Sequence, residues 1–277
     1  MKKLLLTSVA GVALMAGAPA NAADLGTKPT YKAPPVVAPV RSFTWTGCYI
    51  GGNVGGGWAR SRDSWTGIVE GPVAFATDAG AVLPPAANGD VNATGFVGGG
   101  QIGCNYQVNS FVLGAEVDAQ YTGFRGTRTA ASVGTVNIAP GNITESFESK
   151  WLATFRGRAG FTTGPVLFYV TGGAALADLR FGDQVCFPTA AIPACATGAS
   201  SGNSRLGWTF GGGIEYMFAP NWTVKGEYLY VDLGTASTSG FGAPIAAIPN
   251  PFTTAAVVTF NHRVTENIAR LGVNYKF

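Results

Sequence analysis

The sequence predicts an all-β protein, an eight-stranded antiparallel up-and-down transmembrane β-barrel. Three observations predict it. Charged residues make up 12% of the 277 and glycine stands at 40, against roughly 25% and roughly 7% in ordinary soluble domains. Eight stretches alternate apolar and polar residues with the period of two that a strand requires. The connections between them are alternately long and short, as in barrels with short turns at one end and long loops at the other.

The composition also excludes classes. So much glycine costs helix stability and argues against a helix-rich enzyme. So few charges exclude a coiled coil or a charged disordered chain. The net charge of +3 includes Lys2 and Lys3. Without these two, 18 − 2 = 16 basic residues face 15 acidic ones, a balance of +1 that suggests no nucleic-acid partner.

Residues 1–22 read as a signal peptide. Met1-Lys2-Lys3 is a basic start, Leu4 to Ala18 an apolar run, and Ala20-Asn21-Ala22 a small-x-small cleavage site. Residues 23–44 read as a periplasmic linker, since Pro29, Pro34, Pro35 and Pro39 favour extended conformations that bury little. Residues 45–277 then form the barrel.

Its strands are expected at Gly47–Ala59, Gly95–Tyr106, Phe111–Tyr121, Lys150–Phe161, Val166–Ala177, Arg205–Phe218, Trp222–Asp232 and Thr265–Phe277. In the third, Phe111, Leu113, Ala115, Val117, Ala119 and Tyr121 share one face and Glu116, Asp118 and Gln120 the other. In the fourth, Trp151, Ala153, Phe155, Gly157, Ala159 and Phe161 oppose Arg156 and Arg158. The apolar face carries no charge within the span, because a lysine or arginine facing lipid at mid-depth costs about 2–4 kcal/mol. Aromatics on that face gather in two girdles, where amphipathic rings are favoured. Tyr106, Phe111, Phe161, Phe218, Trp222, Tyr275 and Phe277 lie at the short-turn end. Trp58, Phe96, Tyr121, Trp151, Trp208 and Tyr230 lie near the long loops. The apolar face therefore meets lipid. The closing Tyr275 and Phe277 resemble the terminal signal read by the barrel-insertion machinery of the bacterial outer membrane.

The inward charges are Glu116, Asp118, Arg156, Arg158, Glu215, Lys225, Glu227 and Arg270, four of each sign. Glu116 and Arg156 fall at equal heights on adjacent strands, as do Glu215 and Lys225, with Arg270 near Glu227. One reading is a pore lining, another a neutral ion-pair network filling a narrow barrel. Eight strands leave an interior that side chains can fill, and equal charge numbers give no net field, so the plug is the favoured reading.

Four cysteines in an oxidising compartment suggest two disulfides. Cys186 and Cys195 would close a short segment in the third long loop, the alternative being two free thiols. Cys48 and Cys104 share the outward parity of neighbouring strands, where opposed Cβ atoms lie about 4.5–5.5 Å apart. Their alternative is two small residues facing lipid.

Catalytic, cofactor and metal signatures are missing. His262 is the single histidine and reads as an exposed polar residue in a loop or at the top of the last strand. Gly98-Gly99-Gly100-Gln101-Ile102-Gly103 fits a dinucleotide loop formally but lies within a strand instead of opening a helix. Its glycines read as room for close backbone or aromatic packing.

Several segments carry a family resemblance. Trp45-Thr46-Gly47-Cys48-Tyr49-Ile50-Gly51-Gly52-Asn53-Val54-Gly55-Gly56-Gly57-Trp58 resembles the opening of small alpha-proteobacterial outer-membrane barrels, the porin-family or outer-membrane immunogenic (opacity-type) proteins. Tyr169-Val170-Thr171-Gly172-Gly173-Ala174, the run Lys225–Gly234 and the ending Ala269–Phe277 are similar to theirs. The resemblance implies fold and location, and no shared catalytic residues. It implies a surface structural protein or a small porin, with a lipid-modifying enzyme the remotest of three readings. The expected partners are outer-membrane lipids including lipopolysaccharide, the insertion machinery and an unspecified surface ligand. The chain termini are expected in the periplasm and the long loops outside the cell.

Overall fold

Period-two alternation gives each strand one wet and one dry face, and eight such strands close on themselves. In the structure, a computed structural model, residues 43–69, 88–131, 142–188, 193–239 and 256–277 are described. The expected signal peptide and nearly all of the linker lie outside them. The strands are β1 Gly47–Val69, β2 Gly89–Val108, β3 Phe111–Ala131, β4 Asn142–Thr163, β5 Val166–Pro188, β6 Pro193–Ala219, β7 Trp222–Ser239 and β8 Ala256–Lys276. Each pairs antiparallel with its sequence neighbours, and β1 pairs with β8, so the barrel has no free edge.

The short connections are two residues each: Asn109-Ser110, Gly164-Pro165 and Pro220-Asn221. Asn109 and Gly164 adopt φ of 55° and 60°, the left-handed conformation that tight hairpins need. At the opposite end the sequence reading is corrected. Every strand runs several residues beyond its expected limit, and β1 continues from Ala59 to Val69. A membrane crossing takes only about 9–11 residues of strand. Alternation weakens beyond the lipid because both faces there tolerate polar groups, which is why the outer halves read as loop. Register shifts cluster at the change of environment, at Tyr121/Phe124, Ser149/Leu152, Leu179/Phe181 and Asp232/Thr235. Bulges are common at barrel rims, where the ladder bends.

The outward face follows the expected parity. Ile50, Val54 and Trp58 on β1, and Leu113, Val117 and Tyr121 on β3, are all exposed. The inner aromatic girdle holds Tyr106, Phe111, Phe161, Phe218, Trp222, Tyr275 and Phe277, and the outer one Trp58, Phe96, Tyr121, Trp151 and Trp208. Tyr230 lies beside Trp208 with ring centroids 5.5 Å apart. Cys48 and Cys104 stand directly opposite each other on β1 and β2 and form a disulfide. Cys186 is also disulfide-bonded. Register sets it opposite Cys195, whose side chain lies outside the described residues.

Two inward glycines answer aromatic rings on the next strand. Gly103 faces Tyr49 and Gly213 faces Tyr169 in the register. A Cβ on Gly103 would stand 2.4 Å from the Tyr49 hydroxyl, and one on Gly213 would stand 2.8 Å from that of Tyr169. The bare backbone lets each ring lie flat against the barrel wall.

Candidate functional site in the barrel lumen

Inward positions stack into four layers. At the short-turn end Trp45, Val112, Leu167, Tyr169 and Met217 form an apolar floor. Above it lies a charged layer at the depth of the lipid. A second apolar layer follows, including Val97, Phe124, Leu152, Leu229, Val231, Val264 and Ile268. A second charged layer sits above that, beyond the outer aromatic girdle.

The lower charged layer gathers the eight inward charges expected from the sequence, each no more than 5% exposed. Arg156 is its hub, donating to Glu116 at 2.5 Å, Asp118 at 2.8 Å and Glu227 at 2.9 Å. Arg270 bridges Asp118 at 3.0 Å and Glu227 at 2.6 Å. Arg158 pairs with Glu215 at 2.7 Å, and its guanidinium lies 4.0 Å from the Tyr169 ring centre. Burying an ion costs several kcal/mol unless its hydrogen bonds are made. Here each carboxylate collects donors from several strands. Glu116 accepts from Arg156, from Lys225 at 2.8 Å and from the Tyr49 hydroxyl at 2.6 Å.

Glu116 and Arg156 are register partners and are joined. Glu215 and Lys225 are also register partners, yet Lys225 reaches across the lumen to Glu116. Glu215 is taken by Arg158, Thr223 and Asn274. In so narrow a barrel a long side chain reaches the far wall, so height on one strand pair does not fix the partner. The amides of the lumen form a chain, with Asn53 donating to Gln101 and Gln101 to Asn274. Tyr49 and Tyr169 were not foreseen, although the parity of their own strands places them inward.

The upper charged layer corrects the reading of His262. The residue lies within β8 and is 1% exposed. Its Nδ1 meets Asp63 on β1 at 2.7 Å, and its Nε2 lies 3.3 Å from Asp183 on β5. Thr238 on β7 stands 3.1 Å from Nε2 and donates to Asp183. Phe181 stacks on the ring with centroids 4.3 Å apart. Glu145 on β4, also buried, accepts from Arg128 at 3.0 Å. The ring pairs with Asp63 five residues beyond Trp58 along β1, outside the lipid span. Burial works against charging it, but the hydrogen bonds and charges of Asp183 and Asp63 prevail and hold its pKa up at about 9. Burial, with the charges of Asp63 and Asp183 nearby, pushes the Glu145 carboxyl up to about 7 against the pull of Arg128. Continuing the odd-number parity of β1 from Tyr49 through Asn53 to Ser61 and Asp63 is the sequence signal that would have found this layer.

Glu266 lies between the layers and is fully buried. Neither carboxylate oxygen has a hydrogen-bond partner, Ser149 being its polar neighbour. Among the described residues no group of three or more histidine, cysteine or acidic side chains is arranged to hold a metal.

Comparison with known proteins adds family context. Residues 10–277 match the family described as outer membrane protein beta-barrel domain. The 31 kDa outer-membrane immunogenic protein of Brucella melitensis is 32% identical over 283 residues, covering 100% of both chains. The 25 kDa outer-membrane immunogenic protein of Brucella abortus is 25% identical, over 100% of this chain and 99% of the relative. Among solved structures, the outer membrane protein OprG of Pseudomonas aeruginosa aligns at a TM-score of 0.41 and 14% identity, over 85% of this chain and 99% of its own.

Proposed function

The chain belongs to the outer membrane protein beta-barrel domain family, and from that premise we propose that it is a non-conducting, non-enzymatic surface barrel that presents its long loops outside the cell. The observation that carries this reading is the filled lumen. Two buried apolar layers alternate with two charged layers in which each carboxylate pairs with a cation or with His262. Ions entering such a lumen would have to cross apolar layers without hydration, at a cost of several kcal/mol or more.

The non-enzymatic part rests on His262. Its two ring nitrogens are committed to Asp63, Asp183 and Thr238, and its burial leaves no approach for a substrate. The relatives' names, outer-membrane immunogenic proteins, agree with a surface role. The orientation is proposed on the cations Arg60, Arg62, Arg125 and Arg263, which face outward just beyond the outer aromatic girdle. The insertion role of Tyr275 and Phe277 is supported by their exposure on the last strand. The surface ligand would be held by the loops.

Single-channel recording of the refolded full chain in a planar bilayer is the test. A silent bilayer is expected. A stable, protein-dependent conductance would replace the plug with the small-porin reading. Labelling of Arg125→Cys in intact cells with a membrane-impermeant maleimide should be rapid, and labelling only after lysis would reverse the orientation.

A further inference from the structure

Closure of the wall is complete through the lipid span, but above the outer girdle the ladder is not continuous all the way round. Pairing of β2 with β3 ends at Thr94 and Arg125, and pairing of β6 with β7 ends at Trp208 and Asp232. All four strands continue upward, β2 paired with β1, β3 with β4, β6 with β5 and β7 with β8. The outer half therefore consists of two four-stranded leaves, β7–β8–β1–β2 and β3–β4–β5–β6. The two seams differ. Across β2 and β3 the chains stay packed, since a Cβ on Gly126 would collide with the Asn92 carbonyl and one on Gly89 with the Arg128 guanidinium. Beyond Trp208 and Asp232, β6 and β7 share no register pair among the described residues, and a Cβ on Gly234 would meet open space. The bases of the leaves differ too. Every pairing inside the β3–β6 leaf carries a register shift, at Tyr121/Phe124, Ser149/Leu152 and Leu179/Phe181. In the other leaf β7 with β8 shifts once, while β1 pairs with β2 and with β8 without interruption. Bulges bend a strand and disrupt its ladder, so the β3–β6 leaf has a hinge at its base.

Side chains in the lumen join the leaves near the open seam, and their contacts end on two residues of β5. Asp183 accepts from Thr238 of β7 at 3.1 Å and lies 3.3 Å from Nε2 of His262 on β8. Phe181 stacks on the same imidazole. Asp63 of β1 holds His262 within its own leaf, and Arg128 of β3 holds Glu145 of β4 within the other. These five are the charged groups of the layer. Glu266 lies four residues below His262 on β8, and Arg205 of β6 is half-exposed opposite Ala177, nearer the membrane. Asp90 of β2 faces outward to Arg60, and Asp232 of β7 is taken by Arg263. With protons on both Glu145 and His262 the layer is neutral. Each proton lost adds one negative charge. Asp63 stands on one leaf and Glu145 and Asp183 on the other, so the resulting repulsion between buried carboxylates acts from leaf to leaf.

We propose that the outer half of the barrel is a hinged clasp, in which the β3–β6 leaf swings away from the other leaf along the β6–β7 seam when Glu145 and then His262 give up their protons. Opening bares Phe147 and Phe181 of the second apolar layer at the mouth, while the lower charged layer stays shut. The device goes beyond the plugged-barrel reading and does not rest on it, because it concerns strand segments above the membrane. The sign follows from the two groups. Burial and the nearby carboxylates raise Glu145 from 4.5 to about 7, and Asp183 and Asp63 raise His262 from 6.5 to about 9. Both groups thus bind their protons more tightly in the closed form. Closure is favoured in acid and loses its advantage in two steps, from about pH 4.5 to 7 and from about pH 6.5 to 9.

Double electron–electron resonance on the refolded full chain in detergent provides the test. Spin labels at Gln184→Cys and Ser237→Cys, both exposed positions, span the seam from β5 to β7. Labels at Arg62→Cys and Ser237→Cys lie within one leaf, and labels at Thr129→Cys and Gln184→Cys within the other. The cross-seam distance should be short and single at pH 5, with a longer population that grows by pH 8 and dominates at pH 10. Both within-leaf distances should hold throughout. Glu145→Gln, which cannot ionise, should lower the open-to-closed ratio at pH 8 by about tenfold or more. Thr238→Val, which removes the bond to Asp183, should raise that ratio at pH 5 by about tenfold, the equivalent of one charge-assisted hydrogen bond. A cross-seam distance unchanged from pH 5 to 10 overturns the clasp. Equal broadening of all three label pairs does so too, since the outer half would then be melting without a hinge. Opening that is indifferent to Glu145→Gln overturns it as well.

Discussion

Within the lipid span four carboxylates face three arginines and one lysine, Arg156, Arg158, Arg270 and Lys225. Above it three carboxylates, Asp63, Glu145 and Asp183, face one arginine and one histidine. The lower set pairs each carboxylate with a lysine or an arginine. In the upper set three carboxylates outnumber two cations, so the charges balance only while both Glu145 and His262 hold their protons. The two layers use the same side-chain chemistry, one as a fixed brace and the other as a titratable link between β1, β5 and β8. The comparison teaches that the choice of cation decides whether a buried network responds to its surroundings.

The largest effect that would sharpen this contrast lies in the lower layer. Glu116→Ala removes an acceptor shared by Arg156, Lys225 and Tyr49. Deleting one member of a buried ion network typically costs roughly 3–5 kcal/mol, so the urea midpoint in detergent should fall accordingly. Adding Lys225→Met should restore part of the loss, because Lys225 is the cation left with only the more distant Glu227, at 3.9 Å. Fully additive losses would show that the two residues are not coupled.

The upper layer should respond to alkali. The pKa of His262 is raised from the usual 6.5 to about 9. Its stabilisation is therefore complete below about pH 6.5 and lost as pH rises through about 9, amounting to about 3 kcal/mol. Wild-type unfolding midpoints should drop over that window, and His262→Phe should abolish the drop. A drop that persists in the variant would break the distinction between the layers.

Glu145 works in the opposite sense. Burial raises its pKa from 4.5 to about 7, so the folded state binds its proton more tightly and loses stability as pH rises from about 4.5 to 7. Glu145→Gln should leave stability at pH 4 nearly unchanged and raise it at pH 8, by less than the histidine effect, because the amide keeps its bond to Arg128. The smallest change is expected at Glu266, whose carboxylate oxygens lack hydrogen bonds. Glu266→Leu should stabilise the barrel by about 1 kcal/mol, the low end for relieving an unsatisfied buried polar group. A loss instead would mean that its contact with Ser149 matters.

Much of the molecule was legible in the chain itself. Period-two alternation, the absence of charge from one face and the two aromatic girdles fixed strand count, order and sidedness, because lipid penalises every exception. The lower charges were found for the same reason, since a charge inside the span has only the lumen to face. Cys48 and Cys104 were readable from parity, because neighbouring strands of a hairpin inherit a register. Beyond the lipid that penalty disappears, so the strand extensions and the burial of His262 were not visible in the pattern. Which cation meets which carboxylate was decided only by the tertiary structure. Closure of the barrel brings side chains from opposite walls within reach, and Lys225 passes its register neighbour Glu215 to meet Glu116. Local alternation sets the direction a side chain points, and only the diameter and stagger of the closed barrel set what it meets there.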